Sequence, residues 1–308
     1  MRDRTDILQA DGLLLLTSLI WGLNFVAQRS GMAVIGPFAF TAARFGLGAA
    51  SLLPLLVLSR RREARREGAA SVPGQLARSG KVLWAGLTGT VLFIATNLQQ
   101  VGMVSTTAGN AGFITCLYVV LVPLFGLVTG RAPGRRIWAG ALLAVAGLGV
   151  LTLRAGLSMA PGDGLELVGA LFWAGHILLI SRLVFRMRAL ELAVGQFAVC
   201  SILSLAVALA REPAPFAGLV PAAFPILFGG LLSIGVAYTL QIVAQKTAHP
   251  AHASIIMAME GLFAGIGGVV LLGEPLTPRL VMGGALMLAG MVVSQLDPRP
   301  APAPAILP

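Results

Sequence analysis

The sequence predicts an all-α, polytopic membrane protein of ten transmembrane helices, built as two inverted-topology five-helix repeats. Composition is the first observation: 57% of the 308 residues are apolar and 11% charged, against roughly 25% charged in an ordinary soluble domain. A water-soluble fold of this size could not hide so much apolar surface. The second is the form of the apolar runs, which are continuous and lack the alternation of barrel strands. The third is self-similarity. Asp11-Gly12 falls on Asp163-Gly164, Trp21 on Trp173, Asn24 on His176, Arg44 on Gln196 and Phe45 on Phe197, all at an offset of 152 residues. At an offset of 142, Gln99 meets Gln241, Asn110 meets His252 and Tyr118 meets Glu260. One further inserted residue brings Gly140 and Gly147 onto Gly283 and Gly290. A doubled membrane unit is the usual build of a transporter with its site at the seam.

About 20 residues are needed to cross the hydrocarbon core, and the chain divides accordingly. The first span is placed at 12–30. No small-residue cleavage pattern follows it, so it reads as a retained helix and not a signal peptide. The second, at 36–58, ends in the strongest basic segment, with Arg60, Arg61, Arg62, Arg65, Arg66, Arg78 and Lys81. That segment belongs in the cytoplasm. Spans at 81–101 and 107–129 follow, then Arg131, Arg135 and Arg136 on the same side. The fifth lies at 135–154 and the sixth at 162–182, before Arg186 and Arg188. The last four occupy 189–210, 219–243, 250–272 and 277–296.

An even number of spans puts both termini in the cytoplasm. The opposite loops carry little beyond Arg154, Arg211 and Arg279. Five helices per repeat is an odd number, so the second half sits upside down relative to the first. The units are residues 1–158 and 159–296, with a Pro/Ala-rich tail at 297–308 expected to be disordered. The net charge of +10 is explained by orientation in the membrane and calls for no nucleic-acid partner. Cys116 and Cys200 lie inside apolar runs and read as small core residues.

A charged side chain at the bilayer centre costs roughly 2.5–3.5 kcal/mol on insertion scales, so each one needs a reason. Arg44 in the second span and Glu260 in the ninth are the clearest cases. Glu260 follows His252 by eight residues with Ile256 midway, which places His and Glu on one helical stripe. Tyr118 and Asn110 form the matching stripe in the first repeat. Trp21, Asn24 and Gln28 share a face of the first span, and Trp173 and His176 a face of the sixth. Tyr238, Gln241 and Gln245 mark the eighth span, and Thr90, Asn97 and Gln100 the third. Such amides and hydroxyls also serve as ordinary interhelical bonds, worth about 0.6 kcal/mol each, and tryptophans as interfacial anchors. A lone carboxylate such as Glu260 needs a partner or a proton. Arg44 has two readings, bonding to carbonyls near a helix end and contact with a substrate carboxylate. His249 and His252, beside Pro250, suit a helix cap or an entrance better than a metal, since no carboxylate or cysteine stands close by in sequence.

These residues also carry a resemblance. The run WGLNFVAQRSG, with IGPFAFTAARF after it, resembles the first repeat of EamA-type members of the drug/metabolite transporter superfamily. The run AHASIIMAMEGLFAGIGGVVLLGEPLTPRLVMGGALMLAGMVV resembles the end of their second repeat. The likeness extends from about Gly12 to Leu296, and its most specific piece is Glu260 followed by Gly273-Glu274-Pro275-Leu276-Thr277. Within the superfamily the chain is similar to YddG-type amino acid exporters. The family usually has proline directly after the glutamate matched by Glu260, where this chain has Gly261. The resemblance implies a ten-helix inner-membrane carrier that moves amino acids or other small metabolites, commonly outward.

The expected function is therefore a secondary transporter working by alternating access, with a central cavity walled by spans one, three, four, six, eight and nine. The expected substrate-binding residues are Trp21, Asn24, Asn97, Tyr118, Trp173, His176, Tyr238, Gln241 and Glu260, with Arg44 as a possible carboxylate contact. Neither cofactor nor metal is expected, and the partners are a small-molecule substrate and the lipid bilayer. A lipid or lipid-linked metabolite flippase of the same architecture is the alternative, and it would need a cavity open sideways to the bilayer. An intramembrane enzyme fares worse: the sequence holds no His-Glu-x-x-His pair and no Gly-x-Ser-x-Gly turn.

Overall fold

A computed structural model describes residues 4–64, 76–106, 108–128, 133–152, 160–272 and 275–296, and every regular element among them is helical. Lipid offers a backbone no hydrogen-bond partners, so an apolar run of this length satisfies its own amides by coiling. The elements are α1 (Arg4–Met32), α2 (Pro37–Ala64), α3 (Arg78–Ser105), α4 (Ala108–Thr115), α5 (Tyr118–Val128), α6 (Arg135–Thr152), α7 (Pro161–Leu183) and α8 (Ala189–Arg211). After them come α9 (Ala223–Leu227), a π-helical segment (Phe228–Ala237), α10 (Tyr238–Ala244), α11 (Pro250–Met257), α12 (Glu260–Leu272) and α13 (Pro278–Gln295). Eight helical stretches among the described residues are long and apolar enough to cross a membrane. The arginine-headed α6 and the interrupted α11–α12 complete the ten. Arg65, Arg66, Arg131, Arg154, the side chain of Asn110, the Gly273-Glu274 pair and the 297–308 tail lie outside the description.

Three spans expected to be continuous are interrupted. The fourth breaks after Thr115, where Leu117 N donates to Ile114 O at 3.1 Å and Val119 N to Cys116 O at 3.0 Å. The ninth breaks after Met257, where Met259 N donates to Ile256 O at 3.0 Å and Gly261 N to Ala258 O at 3.2 Å. Each bond of the second break is a bond of the first moved on by 142 residues, so both repeats tighten into a 3₁₀-like turn at one equivalent place. Gly261 retains the N–H that a proline here would lack. The eighth span differs in kind. Its middle is wound as a π-helix, and it lies tight against α2, where a methyl at Gly230 would come within 2.7 Å of Leu47 Cδ2.

The packing carries the twofold relation of the repeats. The most extensive contacts join α6 to α13, α2 to α8 and α3 to α7. Between α6 and α13 a methyl at Gly140 would reach Gly290 O at 2.6 Å, and one at Gly147 would reach Gly283 O at 2.6 Å. Gly140 corresponds to Gly283 and Gly147 to Gly290, so each glycine meets the counterpart of the other. Two equivalent helices crossing antiparallel about a twofold axis produce this exchange. Small residues permit the close approach that lipid-embedded helices rely on. Outward-facing Leu53, Leu55, Val82, Leu83, Ile202, Leu209, Val281 and Met282 are exposed and form a lipid-directed surface.

The buried apolar residues form two main clusters, one around α1, α5, α6 and α11–α13 and one around α2, α3, α7 and α8. Trp21 and Trp173 pack against both. They mark the seam between the clusters, and the cavity lies there.

Candidate solute cavity

The space at the seam, counted together with its solvent-open part, comes to about 540 Å³ and takes its walls from α1, α2, α3, α4, α5, α7, the π-segment, α10, α11 and α12. Its lining is largely paired by the repeat. Trp21 and Trp173, Phe25 and Ile177, Gln99 and Gln241, Thr115 and Met257, and Tyr118 and Glu260 all line it, and each pair occupies equivalent positions of the two halves. Asn24, Gln28, Arg44, Ser233 and Tyr238 complete the wall. The counterparts of Asn24 and Arg44 are His176 and Gln196, which are absent from the lining and bond each other at 2.9 Å. The cavity is thus symmetric at its centre and extends only toward the end of the bundle where α1 finishes and α2 begins.

Glu260 is the first residue of α12 and Tyr118 the first of α5, so both stand at a helix break. Tyr118 Oη donates to Glu260 Oε1 at 3.0 Å, and Cys116 Sγ lies 3.5 Å from the same oxygen. The carboxyl is buried and has no basic side chain in ion-pair contact among the described residues. The start of a helix suits a carboxylate, because unsatisfied N–H groups and the helix dipole converge there.

Arg44 brings the opposite charge. Its guanidinium donates to Gln28 Oε1 at 3.0 Å and to Gln100 Oε1 at 3.4 Å, and it lies 5.2 Å and 5.4 Å from the Phe40 and Phe45 ring centres. Its partners are neutral amides and aromatic faces, and Nε has none. Of the two sequence readings, bonding to carbonyls at a helix end does not describe this arrangement. A cation held by neutral groups at a cavity wall is placed to receive an anion.

Aromatic rings form the floor between these charges. Trp21 and Tyr238 centroids are 4.7 Å apart, and Trp173 stacks on Tyr238 at 6.3 Å with an interplanar angle of 28°. Trp21 Nε1 donates to Ser233 O in the π-segment at 3.3 Å. Asn24 Oδ1, Gln241 Oε1 and Trp173 Nε1 are buried without a protein partner. Buried polar atoms usually find a partner, and these three belong to residues of the cavity wall, where a solute can supply one.

Eight of the ten residues singled out from sequence line the cavity. Asn97 and His176 do not: Asn97 Nδ2 donates to Phe93 O and to Ser204 Oγ, both at 2.9 Å, and His176 is sealed against Gln196. The predicted stripe of His252 with Glu260 is cut by the break between them. His252 instead bonds Asp11 Oδ1 at 3.0 Å and Ser294 Oγ at 2.7 Å, while Gln295 Nε2 donates to Asp11 Oδ2 at 3.0 Å. His249 caps α11, accepting from Ala251 N at 3.2 Å. Gln99, Thr115, Phe25, Ile177, Ser233 and Met257 were not picked out from sequence. The repeat could have supplied Gln99 as the counterpart of Gln241. Among the described residues no group of three His, Cys, Asp or Glu side chains is placed to hold a metal ion.

The sequence pattern of the EamA-like transporter family matches residues 8–153 and again 160–295. The chain belongs to that family. An uncharacterized transporter of Archaeoglobus fulgidus is 32% identical over 298 residues, covering 94% of this chain and 86% of the relative. A second uncharacterized transporter of that organism is 27% identical over 290 residues, covering 92% and 96%. A solved crystal structure superposes with a TM-score of 0.75 at 22% identity, over 93% of this chain and 96% of the other, and bears on fold alone. With EamA membership shown, the cavity at the repeat seam is the candidate solute site of a membrane transporter.

Proposed function

We propose that this EamA transporter is a secondary carrier of amino acids or closely related zwitterions, working by alternating access. The reading rests above all on one observation: Arg44, with no carboxylate partner among the described residues, and Glu260, with no basic partner among them, line a single cavity. A zwitterion complements both. Its carboxylate pairs with the Arg44 fork, its ammonium with Glu260, and its side chain lies against Trp21, Trp173 and Tyr238. The Asn24, Gln241 and Trp173 polar atoms that lack protein partners supply orientation.

The unequal ends of the cavity support alternating access. Inverted repeats can exchange conformations, so the His176–Gln196 closure of one half becomes available to Asn24 and Arg44 of the other, and the opening changes sides. The basic segments after α2, α5 and α7 support an inner (plasma) membrane protein with both termini in the cytoplasm. The extended end of the cavity then faces outward, and export is the direction that the family resemblance implies.

The test is transport by the purified protein in liposomes against a panel of radiolabelled amino acids, with and without a pH gradient, for the wild type and Glu260→Gln. Saturable movement of at least one amino acid, lost or uncoupled in the variant, is expected. Absence of transport across the whole panel overturns the amino acid reading, and equal rates in all four conditions remove Glu260 from the mechanism.

A further inference from the structure

A second buried carboxyl lies just behind the cavity wall. Glu166, in the second turn of α7, is fully buried. Its Oε2 accepts from Thr115 Oγ1 at 2.9 Å, and Thr115 Oγ1 accepts from Gln99 Nε2 at 3.2 Å. Thr115 and Gln99 both line the cavity, whereas Glu166 does not. Glu166 Oε1 has no hydrogen-bond partner. A ready-made recess accommodates it, since a methyl at Gly102 of α3 would come within 2.8 Å of Oε1.

The repeat supplies an internal control. The equivalent position in the first half is Leu14, also fully buried and part of an apolar cluster. The architecture is therefore satisfied by a hydrocarbon side chain here, and the carboxyl needs another reason. Asp163, one turn earlier on α7, is the titratable group acting on it. From α3 and α4 it meets Gly102 and Thr115, neither of them titratable. Tyr118 on α5 and His252 on α11 are engaged with Glu260 and Asp11. Among the described residues no basic side chain makes an ion pair with Glu166, and burying an unpaired ionised carboxyl is costly.

We propose that Glu166 is a second proton-binding site of the carrier, connected to the cavity through the Thr115 hydroxyl. When water in the cavity replaces the Gln99 amide at Thr115 Oγ1 and Glu166 is ionised, an excess proton carried by that water as hydronium passes to the hydroxyl while the hydroxyl's own proton moves to Glu166 Oε2, leaving neutral water, an intact hydroxyl and a protonated carboxyl. Release runs in reverse. This assignment rests on the carrier reading above, and it adds a proton site distinct from Glu260.

Two measurements on the full chain in liposomes test it. Infrared difference spectra between acidic and alkaline pH, taken on Glu260→Gln, should show a buried carboxyl C=O band that titrates and that disappears in Glu260→Gln/Glu166→Gln. Substrate-driven proton flux should fall in Glu166→Gln and in Glu166→Leu, the latter carrying the first-repeat residue, with exchange in the absence of a gradient reduced far less. A missing or non-titrating band, or proton flux in Glu166→Gln equal to wild type, overturns the proposal. Failure of the amino acid panel with the titrating band still present would instead sink the amino acid reading and leave the proton site standing.

Discussion

Tyr118 Oη donates to Glu260 Oε1 at 3.0 Å, and the two residues are one position of a duplicated unit, each opening the second half of a broken helix. Their meeting puts the pseudo-twofold axis through the cavity. It also makes the pair chemically unequal where it is geometrically equal, since one partner is a phenol and the other a carboxyl. Duplication supplied the place, and divergence at a single position supplied the charge.

The bond between them should be energetically coupled to solute binding. A hydrogen bond to a charged group contributes about 1.5–3 kcal/mol, so Tyr118→Phe and Glu260→Gln are expected to be non-additive when combined. Titrations following the intrinsic fluorescence of Trp21 and Trp173 would measure the coupling in a double-mutant cycle. Strictly additive losses would separate Tyr118 from the role given to Glu260.

Arg44 should discriminate solutes by their carboxylate. Lysine retains the charge and loses the fork, so Arg44→Lys is expected to weaken amino acid binding by about tenfold, the equivalent of one charge-assisted hydrogen bond. An amine of the same side chain lacking the carboxylate should bind wild type and variant alike. Competition with such pairs in transport assays is the check.

The glycine exchange between α6 and α13 should dominate the stability of that contact. Gly140→Leu forces a side chain against Gly290 O and is expected to destabilise by about 1–3 kcal/mol, the usual range for overpacking. Gly86→Ala, at a position with nothing within 4 Å of the added carbon, serves as the control. Thermal unfolding in one detergent should lower the midpoint of the first variant and not of the second.

Asp11, His252, Ser294 and Gln295 tie α1, α11 and α13 together at the end of the bundle away from Arg44. Asp11→Asn removes the charge that receives two donors, at a cost of about 1–3 kcal/mol. The closure should loosen, and amide hydrogen exchange along α11 should speed up relative to α8. Unchanged exchange in α11 would show that apolar packing alone holds that end shut.

Much of this was legible before any coordinates. Continuous apolar runs, the offsets of 152 and 142, and polar side chains at helical spacing are local properties of the chain. They led to the ten helices and to Trp21, Tyr118, Trp173, Gln241 and Glu260 as cavity candidates. Glu166 escaped attention because a carboxyl near the start of a span reads as an ordinary helix end. Its burial comes from α3, whose Gly102 leaves the recess it occupies. The helix breaks were hidden too, since neither Cys116-Leu117 nor Ala258-Met259 is a helix-breaking sequence.

By itself the sequence determined the membrane class, the duplication and which residue types could meet at the seam, because hydropathy and internal repetition are read residue by residue along the chain. The tertiary structure decided which of two equivalent residues faces the cavity. Asn24 and His176 are the same position of the repeat, yet packing leaves Asn24 on the wall and seals His176 against Gln196. That choice depends on the relative displacement of whole helices, an asymmetry to which a nearly symmetric sequence is blind.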